Sequence, residues 1–247
     1  MQILTVISRL LDYPDPLLWE NRELLLDTIR QQQDLIPRNR EALLRFVQDL
    51  AAQNLMDAQE QYSALFDRGR SLSLLLFEHV HGDSRDRGQA MVDLMGLYEK
   101  NGFAIAVREL PDYIPLFLEF LGTRSSVEVK EWLGDAGHIL ALLSARLQER
   151  ESPYAVLFDV LLEVGAIQQD TQSLQETVKA EPRDDTADAI DKVWEEEATL
   201  FAGSDMNGGC PSNRPQRPSA SQSVSPDALA AVKWVEGQAA APRTATR

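Results

Sequence analysis

Residues 77–91, FEHVHGDSRDRGQAM, gather two histidines, three acids and two arginines in one short stretch. Imidazoles and carboxylates hold transition metals and move protons near neutral pH. His79, His81 and Asp83 could therefore serve a metal-dependent hydrolase. Residues two apart on a helix point about 200° from each other, so His79 and His81 share an ion only where the helix ends. Gly82 is placed to end it. A zinc site still wants a third and a fourth ligand, yet the remaining histidine is His138 and the lone cysteine is Cys210. Metal ligation is therefore weakly supported, and no metal or other cofactor is expected.

Other chemistries have less to stand on. No serine occupies a nucleophile elbow, and no cysteine lies in the apolar-patterned part of the chain. No Gly-rich phosphate loop is present. Glu109 and Glu119 could act as paired carboxylates, but no spacing sets them in one cleft. The plainest reading of 77–91 is a helix end followed by a solvated cap. Asp83 or Ser84 would cap a helix starting near Arg85, and Asp86 would sit at that helix's positive end. That reading leaves the concentration of Glu78, His79, His81, Asp83, Arg85, Asp86 and Arg87 beside an apolar segment unexplained. An apolar surface rimmed by hydrogen-bonding groups is how a helical protein holds an amphipathic peptide. No catalytic residue is assigned, and the chain is read as a non-enzyme.

The elements that must carry these residues read as helices throughout. Apolar positions at 3, 4, 7, 10 and 11 have helical spacing, and YPDP at 13–16 ends one helix and begins another. Helices follow over 17–31, 38–53 and 55–66, where Tyr62, Phe66 and Asp67 are assigned to packing first. Leu72, Leu75 and Leu76 share a face. Met91, Leu94, Met95 and Tyr98 form a stripe closed by Asn101–Gly102. Ile114, Phe117, Leu118 and Leu121 make the next, and Ala136, Leu140, Leu143 and Leu147 another. Ser152 reads as the N-cap of a helix with Pro153 in its first turn, and Leu157, Val160, Leu161 and Val164 face inward. A polar connection over 168–184 then leads to a last helix near 185–201, using Ile190, Val193 and Trp194. No alternating strand pattern of useful length appears. The fold class is all-α, a single multi-helix bundle.

Composition sets the outer bounds. The chain has 247 residues, 44% of them hydrophobic and 26% charged, as in a soluble globular protein. Beyond Phe201 the sequence turns rich in Gly, Pro, Ser and Asn, with little to bury. We therefore expect a helical domain at 1–202 and a disordered tail at 203–247, in which 225–237 could form a short helix. The net charge is −15, and the tail's slight basic excess leaves the body more acidic still. Such a balance argues against nucleic acid as a partner, because basic patches supply most of that affinity. No run approaches a membrane span. The N-terminus lacks a basic leader and a cleavage site, and reads as a helix. One cysteine fits a reducing compartment. A cytoplasmic protein with no direct membrane insertion is expected.

SRLLDYP (8–14), MDAQEQYSALFDRGR (56–70), SLLLFEHVHGDSRDRGQAMVDLM (73–95), RELPDYIPLFLEFL (108–121), ILALLSARLQERESPYAVLFDVLL (139–162) and DDTADAIDKVWEEE (184–197) together resemble the NarJ-type assembly chaperones of respiratory nitrate reductase. These delta subunits fall within the wider TorD/DmsD/NarJ chaperone group. The resemblance covers about 1–200. It implies an all-helical, cytoplasmic, non-catalytic protein that binds the N-terminal segment of the apo catalytic (alpha) subunit. Such a protein supports molybdenum cofactor insertion, together with the insertion machinery, before membrane attachment. The group's E-x-P-D-H motif maps onto Glu109, Pro111 and Asp112, with Tyr113 in place of the histidine. Tyrosine keeps a polar ring edge but does not titrate near neutral pH. On this reading Leu75, Leu76, Phe117 and Leu118 are candidates for an apolar groove. Glu78, His79, His81, Asp83, Arg85, Asp86, Arg87, Glu109, Asp112, Tyr113 and Glu119 are candidates for its rim or for a network joining the motif helices.

Overall fold

Apolar side chains recur so densely in the first helix that only one narrow stripe of it can face water. In the computed structural model, which describes residues 2–195 except 83, 106–108, 169–170 and 193, α1 (Gln2–Leu11) has Ile3, Leu4, Val6, Ile7, Ser8, Leu10 and Leu11 buried. Gln2, Thr5 and Arg9 form the exposed stripe. The main partner of α1 is α8 (Ile114–Gly122), whose Ile114 to Leu118, Phe120 and Leu121 are all buried. Ser8 is the polar exception at this contact. Its hydroxyl is buried and donates to the Pro115 carbonyl at 2.7 Å, which satisfies it without water.

The other described elements are α2 (Pro16–Glu20), α3 (Arg22–Arg30), α4 (Pro37–Ala52), α5 (Leu55–Phe66), α6 (Leu76–His81), α7 (Arg85–Lys100), α9 (Ser126–Asp135), α10 (Gly137–Glu149), α11 (Ala155–Val164) and α12 (Thr171–Ala180). The all-α expectation holds, with no strand among the described residues. α3 packs on α4 and α1, α11 on α10 and α4, and α12 on α10. Apart from α12, their apolar faces close one core that runs from Ile3 to Leu161. Capping follows residue chemistry. Asp15 accepts from the Leu18 amide ahead of Pro16, and Ser125 with Glu128 forms a reciprocal capping box on α9.

Four local expectations are corrected. The helix expected over 17–31 breaks at Asn21, whose amide side chain donates to the Leu17 carbonyl at 2.8 Å while its backbone leaves helical geometry. Ser152 does not cap a helix at Pro153; α11 starts at Ala155, and residues 151–154 form a turn. The polar connection at 168–184 contains α12, which docks on α10 through Leu174 and the buried Val178, four positions apart. Trp194, expected to face inward, is 67% exposed. Val193 and the expected tail at 203–247 lie outside the described residues. No helix among the described residues is long and apolar enough to cross a membrane.

Candidate functional site

Two of the polar segments meet at a short backbone junction. Leu75 and Tyr113 pair as an antiparallel bridge, with the Leu76 amide donating to the Asp112 carbonyl at 3.0 Å and the Ile114 amide to the Leu74 carbonyl at 2.8 Å. Asp112 is fully buried here. Its Oδ2 accepts from the Phe77 amide at 3.0 Å, so a residue ahead of α8 caps the first turn of α6. Asp112 Oδ1 and Arg87 Nε are both buried without a hydrogen-bond partner, while Arg87 Nη1 pairs with Glu78 at 3.0 Å. These residues knit α6, α7 and the entry to α8 together.

Burial pushes the Asp112 carboxyl above its ordinary range, against the pull of the Phe77 amide and the Arg87 charge. Because the folded value is the higher one, the stability it lends is full below the unfolded value of about 4. That contribution fades as pH rises through the folded value. Asp112→Asn removes the titration. Urea unfolding at acidic and neutral pH should show the variant gaining on the wild type as pH rises, and a pH-independent difference would contradict this.

The histidines are engaged separately. His79 Nε2 donates to the Ser73 carbonyl at 2.8 Å, which leaves that nitrogen unavailable to a metal. Burial lowers the ring's pKa, although the Ser73 carbonyl opposes this, so the imidazole is neutral at pH 7. His81 meets the Phe77 ring edge-on at 5.8 Å. Asp83, the third member of that set, lies outside the described residues. Gly82 ends α6 with φ of 53°, as its position predicted.

Two cavities share the Tyr13 ring, and the second of them abuts this junction. The first, about 580 Å³, lies along the exposed stripe of α1 and is closed by α2 and α3. Its wall carries Val6, Tyr13, Leu17, Leu18, Leu24 and Leu25, with Asp12, Asp15 and Arg9 at polar positions. Tyr13, Leu17 and Leu24 are 49%, 60% and 65% exposed. A single exposed leucine is unremarkable, but here several large apolar side chains stand exposed around one concavity. The second, about 550 Å³, is lined by Tyr13, Tyr62, Phe66, Leu75 and Tyr113 with Asp67, Arg70, Glu78 and Glu109. Tyr13 belongs to both walls. Behind it, Tyr113 donates to Asp12 at 3.1 Å, Tyr62 donates to the Leu11 carbonyl at 2.8 Å, and the two hydroxyls lie 3.3 Å apart. Burial pushes both phenols well above their ordinary pKa, so they stay protonated donors.

The structure thus redistributes the candidates. Leu76, Phe117 and Leu118 are core residues and not groove walls, because α6 and α8 turn those faces inward. Leu75 alone of the four lines a cavity. Asp112 belongs to the network and not to a rim. Glu78, Glu109 and Tyr113 stand together on the second cavity. Glu119 instead pairs with Arg9 of the first at 3.0 Å, so it and Glu109 are given separate roles. Arg85 begins α7, and Asp86 is exposed in its first turn. The first cavity was missed from sequence. Its signal was the apolar run Leu24-Leu25-Leu26, wider than one buried face requires.

Residues 32–159 match the family model described as the nitrate reductase delta subunit. The chain is 52% identical over 198 residues to the nitrate reductase molybdenum cofactor assembly chaperone NarJ of Escherichia coli (strain K12), covering 80% of this chain and 84% of that one. Against the same organism's "Probable nitrate reductase molybdenum cofactor assembly chaperone NarW" it is 49% identical over 201 residues, 81% and 84% of the two chains. It is also 33% identical over 159 residues to the protein of Bacillus subtilis (strain 168) named "Probable nitrate reductase molybdenum cofactor assembly chaperone NarJ", 64% and 85% of the two.

Proposed function

Because this chain belongs to the nitrate reductase delta subunit family, we propose that it is a non-catalytic assembly chaperone for respiratory nitrate reductase. It works in the cytoplasm on the apo catalytic subunit, grips that subunit's N-terminal segment, and supports molybdenum cofactor insertion before membrane attachment. The insertion machinery is a further partner on this reading. The observation that carries it is the first cavity. Three large apolar side chains stand exposed around one concavity, beside Asp12 and Asp15. That surface suits the apolar face of a short helix, and its acids suit a basic flank, which adds rate and orientation.

Calorimetry with a synthetic peptide of the catalytic subunit's N-terminal segment tests this. We expect one peptide per chain and a negative heat-capacity change, the mark of apolar burial. Leu17→Glu with Leu24→Glu should weaken binding about 100-fold, as two leucines each lose roughly 1.5 kcal/mol of burial. Absence of heat at high peptide concentration would defeat the reading.

A further inference from the structure

α7 presents two unlike faces, and we infer from the outer one that two copies of this chain pair through it, antiparallel and about a twofold axis at Val92. The inference is independent of the proposed function, since no residue of α7 lines either cavity.

The inner face is anchored. Leu94 and Tyr98 are buried, the Tyr98 hydroxyl donates to the Pro111 carbonyl at 2.8 Å, and its ring packs on Phe103 and Phe120. The outer face is open. Gly88, Gln89, Val92, Met95 and Glu99 recur at helical spacing along it and are all exposed. Val92 and Met95 stand 56% and 41% exposed. No described part of the chain comes within 4 Å of where a β-carbon would stand on Gly88 or Gly96. Glycine weakens a solvated helix relative to alanine. What two of them offer here is a low surface on which a second helix can come close.

The order of residues along this face says which helix. Reversed about Val92, it matches itself. Val92 meets Val92 of the other copy, Gly88 falls level with Gly96, Gln89 with Met95, and Arg85 at the helix start with Glu99 near its end. About 21 Å of helix separates Arg85 from Glu99, so only a reversed copy brings these opposite charges together, and it does so at both ends. A parallel copy would set Arg85 against Arg85 and Glu99 against Glu99. Glu99 forms no ion pair with a described residue. Asp93, beside the seam, is held by Gln89 at 2.8 Å. Charges bordering an apolar seam set the orientation of paired helices. A single 16-residue helix buries less than a standard-size interface, and two chains of net charge −15 repel each other at long range. The pair is therefore weak, with a Kd on the order of 100 µM.

Sedimentation equilibrium of the full-length chain, with reductant to keep Cys210 from linking copies, tests this between about 1 µM and about 1 mM. The wild type should pass from monomer to dimer. Val92→Glu sets two carboxylates against each other on the axis and should weaken dimerisation at least about tenfold. Arg85→Glu and Glu99→Arg, each alone, should weaken it about tenfold, because like charges then meet at both ends. Both changes suit the helix macrodipole, so neither frays α7. An equimolar mixture of these two variants should dimerise as the wild type does, since every end pair is opposite again. A wild type that stays monomeric, a dimer indifferent to Val92→Glu, or a mixture no tighter than either variant alone overturns the inference. Affinity for the client peptide should be unchanged by Val92→Glu. A loss there gives the outer face of α7 to the client and overturns the inference as well.

Discussion

Leu118→Ala should lower the unfolding free energy by about 3 kcal/mol, the middle of the range for truncating a buried leucine in a close-packed core. Leu118 has no exposed surface, and it sits on α8 against α1, the most extensive helix pair in the fold. Phe117 and Leu76 are 3% and 5% exposed and belong to the same cluster. Truncation leaves a void that α1 cannot fill without moving, because its own side chains at Leu4, Ile7 and Leu11 are fully buried. Urea unfolding reads the loss directly. The binding experiment provides the contrast: under conditions where the variant is folded, its affinity for the client peptide should stay within about twofold, since Leu118 lines neither cavity. A stability change below about 0.5 kcal/mol, with a large loss of affinity, would return Leu118 to a groove.

That contrast shows what pattern reading can and cannot reach. Helical spacing places Leu118 on an apolar face, and it placed α1, α4, α5, α7 and α8 as well. Spacing alone does not say whether an apolar face meets another helix or a client. The decision depends on which helices cross, a tertiary fact. Leu17 and Leu24 have the same chemistry as Leu118 and stand 60% and 65% exposed, because no element among the described residues covers α2 and α3 there. α12 was invisible for a different reason. Leu174 and Val178 are a single i, i+4 pair in an otherwise polar stretch, too sparse to outweigh its loop-like composition. The bridge between Leu75 and Tyr113 is too short for any alternation to announce it. What sequence did carry was the grouping. Glu78, Glu109 and Tyr113, drawn from two separated motif blocks, arrive on one wall, and the family resemblance supplied that pairing where periodicity could not.

Gly69→Ala should be the most disruptive change outside the core, costing about 3 kcal/mol or more. Gly69 has φ of 83°, a left-handed conformation in which a β-carbon alone costs roughly 1 kcal/mol. An added β-carbon would also fall 2.5 Å from Asp184 Cγ, so the carboxylate must leave. Asp184 cannot leave cheaply. It accepts from the Arg70 amide at 2.6 Å, the Ser71 amide at 2.7 Å, the Ser71 hydroxyl at 2.6 Å and Arg150 at 3.1 Å. Hydrogen bonds to a charged acceptor contribute about 1.5–3 kcal/mol each when lost singly, though not additively. Asp185 adds a second contact to Arg150 at 3.2 Å, and Arg146 binds both Glu181 and the Ser71 carbonyl. The segment after α12 is thus a clasp on the loop that forms part of the second cavity. Burial opposes the Asp184 charge, yet the Ser71, Arg70 and Arg150 donors outweigh it and hold the carboxyl below its ordinary value. With a lowered folded pKa, the clasp's contribution is complete above about pH 4 and fades as pH falls through the folded value. The Asp184→Ala background separates steric from conformational cost. There the new β-carbon finds room, and Gly69→Ala should cost only the roughly 1 kcal/mol of its backbone. Additive losses in the double variant would mean that the glycine and the aspartate act independently, and the clasp would not be a unit.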